Sequence, residues 1–348
     1  MSEPDTAISA AKPAARSPLA AVADALKSVA LRPTQTVVTA RDGSRTLQSL
    51  RSGEVHETLE PARRAPPPSD AASMSVSDVA RQLADDPTRA WEVLQPRQTV
   101  RALPLSDFSA ERPQADGTVR FVCVSDTHSK HATVAVPAGD VLVHAGDFTQ
   151  TGRPGEVRAF CEWLAAQPHA RKIVIAGNHD LTFDGASYPE THKRFGHSER
   201  LDDAACRAML AAVPGVEYLC DSGTAVRGVT VYGSPWQPEF CGWAFNLPRG
   251  EGCRAKWRQI PTGTDVVVTH GPPLGHGDLC SSGLRAGCLD LLDELQGRVK
   301  PAFHVFGHIH EGAGATTDGT TTYVNASTCT LRYKATNPPL VFDVTARE

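Results

Sequence analysis

At 348 residues the chain can hold two domains, but its layout argues for one domain with a tail. Lys and Arg total 35 against 39 Asp and Glu, a formal charge of −4, which excludes a general affinity for nucleic acid or an anionic membrane. Nine Cys, an odd number with no Cys-x-x-Cys pair, give no disulfide framework and point to free thiols in a reducing compartment.

Residues 1–90 contain no Phe, Trp or Tyr and are rich in Ala, Pro, Ser and Arg. Such a stretch cannot bury enough apolar surface to offset its conformational entropy, so it reads as a low-complexity, largely disordered N-terminal region. Within it, Leu19–Leu31 has apolar residues at 19, 22, 26 and 29, a spacing that allows a short amphipathic helix. Val76–Leu83, with Ser77 as N-cap, allows another. Both are short enough to be transient without a partner. Residues 91–117 read as an extended lead-in, opened by Trp91, the first aromatic.

From residue 118 to 348 strands alternate with helices, an α/β texture. The predicted strands are Val119–Val124, Val141–Val143, Lys172–Ala176, Val229–Tyr232, Asp265–Val268, Ala302–Phe306, Thr321–Asn325 and Leu340–Val344. Glu156–Ala166, Asp202–Val213 and Gly287–Val299 read as amphipathic helices. Cys123, Cys161 and Cys206 fall in these patterns as core fillers. No apolar run reaches the ~18 residues of a membrane span. The first residues, Met-Ser-Glu-Pro-Asp, carry acid where a transit peptide avoids it, so the expected location is cytoplasmic.

Seven side chains of metal-ligand type follow these runs, nearly all at strand ends. They are Asp126 and His128, then Asp147, Asn178, His270, His308 and His310. On an open α/β sheet, sites gather where strands end and loops begin. Carboxylate, imidazole and amide oxygen without thiolate suit hard-to-borderline divalent ions. Seven ligands exceed one tetrahedral centre and suit two ions sharing a bridging carboxylate, for which Asp147 is the candidate. One ion would take Asp126, His128, Asp147 and His310; the other Asp147, Asn178, His270 and His308.

Two divalent ions less two Asp charges leave a positive centre, which would draw a phosphate anion and acidify a bridging water to hydroxide. His179, beside Asn178, is the imidazole left to donate a proton to a leaving alkoxide. Asp180 orients that ring or does nothing; the sequence leaves both open.

The motifs SDTHS, HAGDFT, IAGNHDLTF, VTHGPP and FGHIHEG together resemble the calcineurin-like metallophosphoesterase superfamily. Val119–Ser129, residues 232–238, residues 242–250 and Tyr323–Cys329 narrow the likeness to the metallophosphoesterase-domain-containing, cyclic nucleotide phosphodiesterase-like group. The resemblance covers residues 88–348. It implies a β-sandwich of two mixed sheets flanked by helices, a dinuclear centre with manganese, or else iron or zinc, and hydrolysis of a small phosphodiester. The cyclic nucleotide substrate rests on the resemblance alone. Family members vary at the first His of the last motif, where this chain keeps His308.

Each motif alone is weak and reads more readily as a turn or a hydrogen-bonded polar pair, Gly177-Asn178-His179-Asp180 being the strongest of them; it is their order along the chain that speaks for a site. His144 and His304 lie in apolar runs and read as core residues with backbone partners. His131, His169, His192 and His197 read as surface. In the aromatic segments 233–238 and 241–250, Trp236, Trp243 or Phe245 offer a base a stacking face and Arg249 offers a phosphate contact, against the alternative of a satellite core. His276, after a ligand loop, is a further substrate-contact candidate.

Two rival functions stay in view. One is a phosphomonoesterase or protein phosphatase on the same site, disfavoured because neither Asp147 nor Asn178 has an Arg neighbour. The other is a low-turnover nucleotide-binding regulatory protein, with the tail as its protein-binding element.

Overall fold

The computed structural model describes residues 35–39, 45–49, 55–59 and 73–347. The chain divides into two units, residues 1–64 and 65–348. In the first, strands β1 (Gln35–Thr39), β2 (Arg45–Ser49) and β3 (Val55–Leu59) pair antiparallel in chain order. The helix expected over Leu19–Leu31 lies outside the described residues.

The second unit is built on two mixed sheets. Its strands are β4 (Arg101–Leu103), β5 (Thr118–Val124), β6 (Val141–Ala145), β7 (Arg171–Ile175), β8 (Val216–Tyr218), β9 (Ser222–Val226), β10 (Val229–Ser234), β11 (Gln237–Pro238), β12 (Asn246–Leu247), β13 (Val266–Thr269), β14 (Phe303–Phe306), β15 (Gly314–Thr317), β16 (Thr322–Asn325) and β17 (Leu340–Thr345). One sheet runs β17-β5-β6-β7-β8, parallel except for the antiparallel edge strand β17; the other runs β4-β15-β16-β14-β13-β10-β9, with a parallel centre and antiparallel pairs at both edges.

Period-two alternation explains how the sheets stack. On β5, Val119, Phe121 and Cys123 point between the sheets, where they meet Val231, Val268 and Val305. Val122 and Val124 point the other way, under Phe160 and Leu164 of the helix Pro154–Ala166. The outer face of the second sheet, Tyr232, Val267 and Tyr323, is covered by Trp257 and Leu291 of the helices Glu251–Trp257 and Leu289–Glu294. The central strands are therefore covered on both faces. This is why they read as near-continuous apolar runs, interrupted by Arg120, His144 and His304, rather than as half-polar ones.

The ordered unit begins earlier than the sequence suggested. Met74, Val79, Ala80, Ala90, Trp91 and Leu94 bury against Leu274, Leu289 and Leu292, so the boundary expected at residue 91 falls inside the helix Pro87–Leu94. Counting aromatics missed this packing, because Met, Val, Ala and Leu supply it. The N-cap of Val76–Leu83 is Ser75, in a capping box with Asp78. Ser77, the expected cap, instead donates to Asp293 Oδ1 at 2.6 Å. The lead-in segment contributes β4 and buries Phe108. The helix expected to end at Val299 does so through a π segment, Leu295–Val299, closed by Lys300 at φ 50°.

Candidate metal centre

All seven candidate ligands follow strand ends, and both sheets contribute. Asp126 and His128 follow β5, Asp147 follows β6 and Asn178 follows β7; His270 follows β13, and His308 and His310 follow β14. Four of them have left-handed backbones: Asp126 (φ 51°), His128 (φ 41°), Asp147 (φ 56°) and His308 (φ 68°). That region costs a non-glycine residue about 1–2 kcal/mol, and the cost is concentrated where polar side chains converge. Gly177 and Gly307 allow the convergence. A Cβ on Gly177 would strike the Asp147 carboxylate, and one on Gly307 would strike the Asp126 carboxylate.

The contacts form two connected groups. Asp126, His128 and His310 each offer one ligand atom, all mutually within 4.8 Å; Asp126, Asp147 and His270 do the same. His310 Nε2 lies 3.4 Å from Asp126 Oδ1 and 3.2 Å from His128 Nε2. His270 Nε2 lies 3.4 Å from Asp147 Oδ1 and 3.0 Å from Asn178 Oδ1. Asp147 also faces His128 Nε2 through Oδ2 at 3.7 Å, so its two oxygens look towards different groups. The His308 ring packs 5.0 Å from that of His270, while its backbone N–H donates to Asp126. His179 makes a third group with His128 and Asp147, a juxtaposition the sequence did not suggest.

Hydrogen bonds at the back of the rings set their tautomers. His270 Nδ1 donates to the Ala145 carbonyl at 2.9 Å and His310 Nδ1 to the Thr330 carbonyl at 3.1 Å. In the neutral rings the Nε2 lone pairs then face carboxylates, an arrangement that only a cation between them makes favourable. A proton or a divalent ion can play that part. Burial disfavours a charged His270, but the Asp147 carboxylate outweighs it and pushes the ring up to about 9. Burial likewise opposes ionisation of Asp126, yet His310 holds its carboxyl well below the usual range. Burial takes His308 down to about 3 and His128 down to about 4, so both stay neutral and able to coordinate. Oxygen and imidazole donors, buried and without thiolate, fit a divalent ion at each group.

Asp180 does not orient His179. It accepts from Thr149 N (2.9 Å), Thr149 Oγ1 (2.7 Å) and Gly177 N (2.8 Å), and so ties the Asp147 loop to the Asn178 loop. The His179 ring is held by the Gln150 carbonyl at 2.8 Å and stacks on Trp243 at 4.0 Å.

The three substrate-contact candidates have other partners. Arg249 donates to the carbonyls of Gly287 and Ala286. Trp236 donates to Asp221 and lies under Lys256. His276 is fully buried, stacked on Tyr323 and bonded to Thr316. Among these aromatic segments it is Trp243 that reaches the site.

His144 and His304 are buried as expected, but they bond to the hydroxyls of Thr127 and Thr269, beside ligands, rather than to backbone. His131, His169 and His197 are buried, not surface. His131 packs beside Phe160 and Trp163, which come from a later helix, and His197 meets the Tyr188 hydroxyl of the preceding helical turn.

Sequence reasoning missed Ser327, whose hydroxyl donates to Asp126 at 2.8 Å, and Tyr333 and Phe240 at the rim. For Ser327 the signal was the resemblance over Tyr323–Cys329; the rim aromatics sit in loops without periodicity.

A sequence profile described as calcineurin-like phosphoesterase matches residues 119–312. Metallophosphoesterase domain-containing protein 1 of Homo sapiens and that of Mus musculus are each 51% identical over 239 residues, 67% of this chain and 73% of theirs. A UPF0046 protein of Caenorhabditis elegans is 41% identical over 278 residues, 76% of this chain and 69% of its own.

Proposed function

The chain belongs to the calcineurin-like phosphoesterase family, and on that premise we propose that it hydrolyses a small phosphodiester, a cyclic nucleotide foremost, at two divalent ions. Manganese is the first candidate, with iron or zinc as alternatives. The observation that carries this reading is the pair of buried groups, Asp126–His128–His310 and Asp126–Asp147–His270, each within 4.8 Å. In our assignment Asp126, His128, Asp147 and His310 hold one ion, and Asp147, Asn178, His270 and His308 hold the other. Ions so bound acidify water and offset phosphoryl charge.

The chain's own residues do the rest. With only two carboxylates in the set, the loaded site stays positive and attracts an anion. The carbonyls of Ala145 and Thr330 fix the His270 and His310 rings in their coordinating orientation. His179 keeps its Nδ1 on the Gln150 carbonyl, which leaves Nε2 as the ring atom to face the leaving oxygen. Among the described residues no arginine pairs with Asp126 or Asp147, which favours a singly charged diester over a monoester dianion. The free thiols support a cytoplasmic setting, and residues 1–64 are the proposed protein-binding element.

The test is turnover of bis(p-nitrophenyl) phosphate and p-nitrophenyl phosphate by manganese-loaded protein, with metal content measured in parallel. The diester should be the better substrate, and Asp147→Asn and His270→Ala should lose both turnover and metal. A faster monoester reaction would reassign the site to a phosphomonoesterase. Diester turnover indifferent to Asp147→Asn would end the proposal.

A further inference from the structure

Seven large hydrophobic side chains are exposed among the described residues, and two of them are aromatic: Phe240, 48% exposed, and Tyr333, 44%. Both lie against candidate metal ligands. Phe240, in the turn between β11 and β12, meets the His308 ring edge-on at 5.5 Å. Tyr333, in the turn that follows Thr330, meets His128 at 4.8 Å and His310 at 5.4 Å. The two rings therefore border different sides of the centre, one beside His308 and His270, the other beside His128 and His310.

Packing does not account for either ring, since each leaves about half of its surface in water at a position where a polar residue would cost nothing. Tyr333 also has φ 53°, a conformation that bulky residues avoid. Trp243 differs from both: it is partly buried and stacked on His179, so it is a fixed wall. Lys130 brings a positive charge to the same rim, its Nζ 5.9 Å from the Tyr333 ring. Aromatic faces beside a positively charged, phosphate-attracting centre match a ligand with a planar ring attached to an anionic phosphate.

We propose that Phe240 and Tyr333 select phosphodiesters that carry an aromatic ring, stacking that ring at the rim while the phosphate sits over the metal ligands and Lys130 faces its charge. This rests on the phosphodiester reading above and adds the residues that set the substituent. Nucleobase and aryl diesters share this chemistry; dialkyl diesters lack it.

The experiment is calorimetric binding of diphenyl phosphate and dimethyl phosphate to the manganese-loaded full chain, read as a ratio of dissociation constants. Wild type should favour the diphenyl ester by about tenfold or more. Phe240→Ala and Tyr333→Ala should each cut the ratio, the double variant should bring it near one, and Tyr333→Phe should keep it. Thermal midpoint and metal content are read for every variant. If an alanine variant loses metal, Phe240→Leu and Tyr333→Leu, which keep bulk without a ring, replace it. Equal affinities in wild type, or a ratio unmoved in the double variant, overturn the proposal. Wild-type turnover of bis(p-nitrophenyl) phosphate is scored separately. An inactive protein whose ratio collapses in the double variant keeps the aromatic rim and loses the hydrolase reading; an active protein with equal affinities does the reverse.

Discussion

The backbone N–H of His308 donates to both carboxylate oxygens of Asp126, at 3.0 and 3.1 Å, and so ties the end of β14 in one sheet to the end of β5 in the other. The link uses the main chain of His308, not its ring, so the position has separable duties. At φ 68° a glycine fits the backbone better than histidine does. Compared in the metal-free state, His308→Gly should therefore hold or raise the thermal midpoint, while the metal bound on loading falls from two equivalents towards one. Elemental analysis of the purified variant beside calorimetry checks both halves; a large loss of thermal stability would mean that the ring itself supports the fold.

Close approach at Gly307 and Gly177 yields the opposite pattern. A methyl group at either position meets a carboxylate oxygen held by backbone and side-chain bonds that cannot give way freely. Gly307→Ala and Gly177→Ala should each lower metal affinity by about tenfold to a hundredfold, the range seen when groups supporting ligands are disturbed. The core between the sheets is not involved, so circular dichroism in the far ultraviolet should remain as in wild type.

What the sequence disclosed, and what it hid, follows from chemistry at each position. The central strands were legible because Val-rich runs buried on both faces leave a near-continuous apolar signal, as in β13 and, around Arg120, β5. The seven candidate ligands were legible because Asp, Asn and His are uncommon directly after such runs. His131 and His197 were misread because their partners, Phe160, Trp163 and Tyr188, come from elements that pack over their loops. Local polarity says nothing of that. The helix Glu251–Trp257 escaped notice because it is one of the shortest and follows Gly250 at φ 76° without a capping side chain.

Metal removal should expose the cost of burying Asp126 and Asp147 together. Both are essentially inaccessible to water, and each has an imidazole at 3.4 Å as its nearest cationic partner. A buried charge left without adequate compensation destabilises by about 3–5 kcal/mol. Chelation should lower the thermal midpoint, and in the metal-free state Asp147→Asn should recover part of the loss. Its retained Oδ1 can still accept the His179 N–H, at 2.8 Å in wild type. Scanning calorimetry of the two metal-free proteins gives the comparison, and an Asn variant less stable than metal-free wild type would contradict it.

Acid stability should report on His276, which lies away from the metal ligands. Burial lowers the ring from its ordinary 6.5 to about 4, with Asp318 opposing and Arg285 assisting. Because the folded-state value is depressed, the unfolded chain takes up a proton first as pH falls. The contribution of neutral His276 is complete above 6.5, is lost progressively down to about 4, and levels off below it. The loss is on the order of 3 kcal/mol at most. His144 and His304, each lowered to about 3 by burial, add to the same trend, so removing one ring removes only its share. His276→Gln should start less stable at neutral pH, having lost the stack on Tyr323, and should decline less steeply between pH 6.5 and 4. Thermal midpoints across that range, measured for both proteins at one ionic strength, decide it. Parallel curves would show that His276 is protonated as readily in the folded chain as in the unfolded one.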